Sequence, residues 1–96
     1  MQDVPDPVWF VYILHCADSS LYTGVTTDVA RRIDEHNRGQ GAKYTRGRRP
    51  VELVYLETCG DRCEALKREY AIKQMPRTGK DRLIASGSQA ILHSEG

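Results

Sequence analysis

Two runs of β-branched and aromatic residues, joined by a short turn signal, leave the first third of this chain few ways to fold. Trp9 to Cys16 is apolar and aromatic-rich, Ala17-Asp18-Ser19-Ser20 is a turn signal, and Leu21 to Thr26 reads as a second strand. These segments predict an antiparallel hairpin, which on its own is marginal and needs a covering layer.

The covering layer follows in the sequence. Thr27 or Asp28 can cap a helix running to about Asn37, with Val29 and Ile33 on its buried stripe and Gly39 just past its end. Val51 to Glu57, after Pro50, reads as a third strand. Asp61-Arg62-Cys63-Glu64 has capping-box spacing and opens a second helix that ends near Met75, before Pro76. Thr78 can cap a short last helix through Ile84. The expected fold is a small α/β domain with a three-stranded antiparallel sheet flanked by helices, in the order β-β-α-β-α-α.

Size and composition exclude several classes. At 96 residues there is room for one compact domain, expected over residues 8–86 with flexible termini at 1–7 and 87–96. Any substrate surface then belongs to the domain itself. The mixture of 40% hydrophobic and 28% charged residues is that of a soluble globular chain. The longest apolar run, Val8 to Leu14, is far shorter than the roughly 20 residues that span a bilayer. The N-terminus lacks the positive start and apolar stretch of a secretion signal, so a cytoplasmic protein without membrane partners is expected. Three cysteines, Cys16, Cys59 and Cys63, are expected to be reduced core or surface thiols, since a zinc site at Cys59 and Cys63 would need two further ligands.

The net charge of +1 gives no global pull toward nucleic acid, but its distribution does. Between Arg38 and Arg49 stand five cations (Arg38, Lys43, Arg46, Arg48, Arg49) and no acid, interleaved with Gly39, Gly41, Gly47 and Tyr44. That composition suits either a mobile loop that follows phosphates or an ordinary solvated loop.

The hairpin and helices also carry an ordered set of polar residues. Val11-Tyr12-Ile13 is followed ten positions later by Tyr22-Thr23-Gly24, and then come Arg32, His36 and Glu69. In this order the chain resembles the GIY-YIG nuclease superfamily from about Trp9 to Leu83, and is most similar to its small, stand-alone bacterial members. The first motif departs from the family pattern in reading VYI. The segment Gly41 to Pro50 is similar to a loop in the catalytic subunit of the eukaryotic nuclease that cuts branched DNA. The resemblance implies an active site on one sheet face, with Tyr12 and Tyr22 from the hairpin, Arg32 and His36 from the first helix, and Glu69 from the second helix holding a divalent metal.

The side chains suit those roles. Phosphodiester cleavage needs an activated water, neutralised phosphate charge and a stabilised leaving oxygen. Glu69 is a hard oxygen ligand for Mg²⁺ or Mn²⁺, an ion of the kind that keeps several waters and needs few protein ligands. Arg32 can fork two donors onto phosphate oxygens. A tyrosine can act as a base only if cations, a metal or a hydrogen-bond acceptor lower its pKa from near 10. Which of the two tyrosines activates water is left open. Gly24, on the face of Tyr22, leaves space for a backbone phosphate, and Arg31, Lys43, Tyr44, Arg46, Arg48 and Arg49 are candidate nucleic-acid contacts.

Each residue also has a plain structural reading: strand aromatics for the tyrosines, an exposed cation for Arg32, a helix-C-terminal imidazole for His36, and a Lys73 ion pair for Glu69. One demand separates the two. A one-residue shift of hairpin register sends side chains to the opposite face, and simple pairing around a four-residue turn need not put Tyr12 and Tyr22 together. A bulge or an odd-length loop would. The expected function is metal-dependent hydrolysis of branched, damaged or otherwise distorted DNA, without base-sequence selection and with room for a protein partner that supplies substrate choice. The alternatives are a non-catalytic nucleic-acid-binding module and a subunit of a DNA-repair assembly.

Overall fold

The computed structural model describes residues 7–88, so most of the expected flexible termini, 1–6 and 89–96, lie outside the described residues. Strand β1 (Trp9–His15) is central in a three-stranded antiparallel sheet, flanked by β2 (Leu21–Thr26) and β3 (Glu52–Cys59). Val11, Tyr12, Ile13 and Leu14 are all buried, because helices cover both faces of the sheet. A strand buried on both faces needs no polar alternation, which is why β1 reads as a continuous apolar run.

Helix α1 (Val29–Asn37) lies on one face, where Val29 and Ile33 pack on a core of Tyr12, Leu14, Cys16, Val51 and Leu56. Its N-cap is Asp28, whose side chain accepts from the Arg31 amide. Helices α3 (Arg62–Lys73) and α4 (Arg77–Ala85) cover the other face, where Ala65, Ile72, Met75, Leu83 and Ile84 pack on Val11, Ile13 and Tyr55. Asp61 caps α3 by accepting from the Glu64 amide at 2.8 Å. Glu64 in turn accepts from the Gly60 amide, an arrangement close to the expected capping box.

Pairing of His15 with Leu21 leaves Cys16 to Ser20 as a five-residue connection. Ser19 there takes φ 71°, held by Asp18, which accepts from both the amide and the hydroxyl of Ser20. This odd-length loop sets Tyr12 opposite Gly24 and Leu14 opposite Tyr22, so both tyrosines fall on the α1 face. The one irregularity in pairing is instead between β1 and β3, where Ile13 pairs with Tyr55 and Leu14 with Leu53. The extra residue, Val54, is accommodated by a bulge.

Several boundaries differ from expectation. Strand β1 stops at His15, since the Cys16 amide turns to the Ser20 carbonyl. Strand β3 runs from Glu52 to Cys59, not Val51 to Glu57. Helix α3 ends at Lys73, and α4 starts after Pro76, which serves as N-cap without a side-chain bond in place of the expected Thr78. A four-residue helix, α2 (Lys43–Arg46), stands where a mobile basic loop was expected. Cys16 and Cys59 are buried free thiols and Cys63 is exposed. Among the described residues no helix is long and apolar enough to cross a membrane.

Ile72, on α3, is fully buried in the core beneath the sheet. Ile72→Ala is expected to lower unfolding free energy by about 2–5 kcal/mol, read from the urea midpoint at unchanged m-value.

Candidate active site

Tyr12 sits at the centre of the α1 face with 1% of its surface exposed. Its phenol extends over Gly24 on the neighbouring edge strand. A Cβ at that position would lie 2.5 Å from the Tyr12 hydroxyl oxygen and 2.7 Å from Cζ. The expectation that Gly24 leaves room for a phosphate is therefore corrected: the phenol occupies that room. Over the glycine the hydroxyl reaches the β2 edge, where α3 packs and where Glu69 is close enough to act on the phenol electrostatically.

His36, at the end of α1, turns inward and is fully buried. Its Nε2 is 2.9 Å from the Tyr12 hydroxyl and its Nδ1 is 2.8 Å from Oγ1 of Thr45. The Tyr22 ring closes the group, with its centroid 5.3 Å from the His36 ring and 6.4 Å from that of Tyr12. Arg32, one helical turn before His36, pairs with Glu35 at 3.0 Å and acts on the Tyr12 phenol through its charge. Glu69 pairs with Lys73 at 3.2 Å, and the Lys73 ammonium lies 5.9 Å from the centroid of the Tyr22 ring. Of the five candidate catalytic residues, contributed by β1, β2, α1 and α3, His36 and Tyr22 thus pack against the Tyr12 phenol, and Arg32 and Glu69 act on it through their charges.

Electrostatics correct one expectation. Burial pushes the Tyr12 phenol up to about 12, and Arg32 offsets this only in part. Desolvation outweighs the cation because the neutral phenol, unlike phenolate, loses little on leaving water. His36 is held below the usual imidazole range by burial and then by the Arg32 charge. At neutral pH the pair is a neutral phenol beside a neutral imidazole. Burial also works against the Arg32 charge, and Tyr12 and Glu35 more than offset it.

The basic segment is a wall of the site. Tyr44, on α2, stacks on Tyr22 with ring centroids 5.9 Å apart, and the Arg48 guanidinium lies 3.9 Å from the centroid of the Tyr44 ring. Arg48 also donates to the Tyr44 carbonyl and to Asp18, tying the segment to the hairpin loop. Arg49 donates to the carbonyls of Arg46 and Asn37. The Asn37 side chain exchanges two hydrogen bonds with the Val51 backbone. Arg48 and Arg49 are therefore engaged in holding the segment, whereas the side chains of Lys43 and Arg46 are exposed. Arg31 points outward and pairs with Glu35, away from Tyr12.

Two residues of this site were not visible in the sequence. Thr45 is fully buried against His36. Gly41 backs the imidazole so closely that a Cβ would overlap Nδ1, stand 2.7 Å from Cγ and 2.9 Å from the His36 Cα. Its glycine had suggested mobility, but close approach is what requires it.

Donors for a metal are few. Among the described residues no three His, Cys, Asp or Glu side chains gather as a ligand set. Glu69, its side chain 19% exposed beside Tyr12, offers one hard carboxylate. That donor fits a Mg²⁺-type ion that completes its shell with water and phosphate oxygens, and does not fit a closed zinc site.

Fold and site together define a GIY-YIG-type catalytic domain. Residues 8–82 match the family model described as the GIY-YIG catalytic domain, and the chain belongs to that family. It is 62% identical over 86 residues to a UPF0213 protein of Desulfotalea psychrophila, covering 88% of this chain and 78% of the relative. A UPF0213 protein of Staphylococcus aureus is 61% identical over 75 residues, covering 78% and 92%. The solution structure of a UPF0213 protein from Bacillus halodurans has 48% identity and a TM-score of 0.55, covering 82% of this chain and 84% of that one. A protein from E. faecalis gives 41% identity and a TM-score of 0.58 with the same coverage. The two solved structures share the three-stranded sheet and its flanking helices.

Two predictions follow from this geometry. Gly24→Ala is expected to displace the Tyr12 phenol and break its bond to His36, seen as altered aromatic and imidazole resonances in a protein that still folds. His36 has a folded pKa below its unfolded value, so the unfolded chain takes the proton first as pH falls. The stability contributed by the neutral imidazole is present above about pH 6.5 and declines as pH falls below it. Urea midpoints of the wild type should drop between neutral pH and about pH 5, and the drop should be smaller in His36→Gln.

Proposed function

We propose that this protein is a metal-dependent endonuclease that hydrolyses phosphodiester bonds in DNA, choosing branched, damaged or distorted structure rather than base sequence. The observation that carries the reading is the convergence of Tyr12, Tyr22, Arg32, His36 and Glu69 around one phenol. A core needs none of these polar groups together, and their gathering matches the demands of phosphoryl transfer to water.

In this reading the guanidinium of Arg32 binds non-bridging phosphate oxygens, its orientation fixed by Glu35. Tyr22 is only partly buried, and its hydroxyl accepts a hydrogen bond from the attacking water. Tyr12 is covered and holds His36 in place beneath it. Glu69 would hold Mg²⁺ or Mn²⁺, which when bound polarises the phosphoryl oxygen and acidifies a water. Lys43 and Arg46 extend the positive surface along the nucleic-acid backbone. Among the described residues no element is left over to enter a groove and read bases, which favours recognition by shape. The DNA is intracellular in this reading, and a partner protein can narrow the choice of structure.

A second reading draws on the Glu69–Lys73 ion pair, which engages the proposed metal ligand: a nucleic-acid-binding module that does not turn over. Nicking of supercoiled plasmid and cleavage of branched oligonucleotides, with Mg²⁺, Mn²⁺ or chelator, decide between them. Metal-dependent cleavage is expected, falling about 10²-fold or more in Glu69→Ala and in Arg32→Ala while DNA binding by Glu69→Ala persists. Wild-type protein that binds DNA but leaves it intact with every metal would establish the binding module instead.

A further inference from the structure

We propose that Thr45 is a positioning residue that fixes the tautomer of His36, keeping the ring proton on Nδ1 so that Nε2 stands as acceptor for the Tyr12 hydroxyl. Two separate lines of hydrogen-bond accounting lead to the same tautomer.

One line starts at the basic segment. A threonine hydroxyl has one proton to donate. In Thr45 it is directed at the Ala42 carbonyl, 2.9 Å away, the i−3 acceptor within its own turn. Oγ1 therefore presents a lone pair to Nδ1 of His36 at 2.8 Å, and Nδ1 must carry the hydrogen. The other line starts at the sheet. Tyr12 is 1% exposed, so its one hydroxyl proton cannot be passed to bulk water. The Tyr12 O–H then needs an acceptor, and among the described residues Nε2 of His36, at 2.9 Å, is the hydrogen-bond partner it has. A proton on Nε2 would leave the phenol proton without that acceptor and Thr45 with two acceptors for one hydrogen.

The chain of donation runs Tyr12 O–H to Nε2, Nδ1–H to Thr45 Oγ1, and Thr45 O–H to the Ala42 carbonyl, with no buried polar side-chain atom unsatisfied among the described residues. Gly41 closes the remaining side of the ring, so the imidazole cannot slide to another partner. Thr45 stands between Tyr44, which stacks on Tyr22, and Arg46, so the tautomer is tied to the seating of the basic segment. The assignment of the tautomer stands on these contacts alone. Its consequence for cleavage rests on the function proposed above.

The test is the long-range ¹H–¹⁵N correlation spectrum of the histidine rings near neutral pH, for wild type, Thr45→Val and Thr45→Ser. Wild type should show His36 with a protonated, pyrrole-type Nδ1 and a pyridine-type Nε2. Thr45→Val, which keeps the shape and loses the hydroxyl, should show a tautomer mixture or the Nε2–H form, and Thr45→Ser should restore the wild-type pattern. If Thr45→Val does not fold, Thr45→Ala takes its place in the same spectrum. An Nε2–H ring in wild type, or an unchanged Nδ1–H ring in the folded Thr45 variant, overturns the proposal. In the plasmid assay kcat should fall at least about tenfold in Thr45→Val with KM unchanged, and recover in Thr45→Ser. Spectra that behave as expected in a protein that never cuts DNA would support the tautomer and overturn the nuclease reading separately.

Discussion

A phenol, an imidazole and an alcohol lie side by side in the interior, cut off from water, and each can be there only because the next one satisfies it. A buried polar side chain without a partner costs about 1–3 kcal/mol, a large fraction of the stability of so small a domain. Much of the α1 face follows from this constraint. Gly24 and Gly41 are cleared to let the rings through, Asn37 locks the end of α1 to the start of β3, and Arg48 and Arg49 pin the segment that carries Thr45. On the opposite face the buried Tyr55 hydroxyl donates outward to Glu57, which Arg68 holds at the edge of the core. The rest of that face is an apolar interface of Ile13, Ala65, Ile72 and their neighbours, and supplies the rigidity on which the polar face depends.

The arrangement also explains why so few charges serve the site. With a net charge of +1 the protein has no broad positive field to gather anions. What it has is local. Arg32 is held by Glu35, and the exposed cations of α2 lie on the same wall as Tyr44. Fixed donors in a partly desolvated cleft act more strongly on an anion than the same groups spread over a surface.

Features governed by neighbours in sequence were legible in the sequence. Asp28 and Asp61 cap the helices expected of them, the hairpin forms where the turn residues stand, and the order of elements holds, because each depends on a few adjacent residues. The members of the candidate set were named through family resemblance, but their geometry was not legible. The shared face of Tyr12 and Tyr22 depends on how many residues the connection excludes from pairing, a count that turn signals do not give to within one residue. Thr45 escaped notice because its partner is nine positions away and joined to it by tertiary packing. The high pKa of Tyr12 was missed for a related reason. Cations can be counted along a chain, whereas the loss of solvent that outweighs them appears only when the chain folds around the ring.

The connection from Cys16 to Ser20 fixes more than a turn. Since each residue added to or removed from it would carry every β2 side chain to the other face, the loop can change length without scattering the site only in steps of two, or with a compensating bulge. Length variation here should therefore show parity among descendants of this fold, as a kind of genetic reading frame written in backbone pleat.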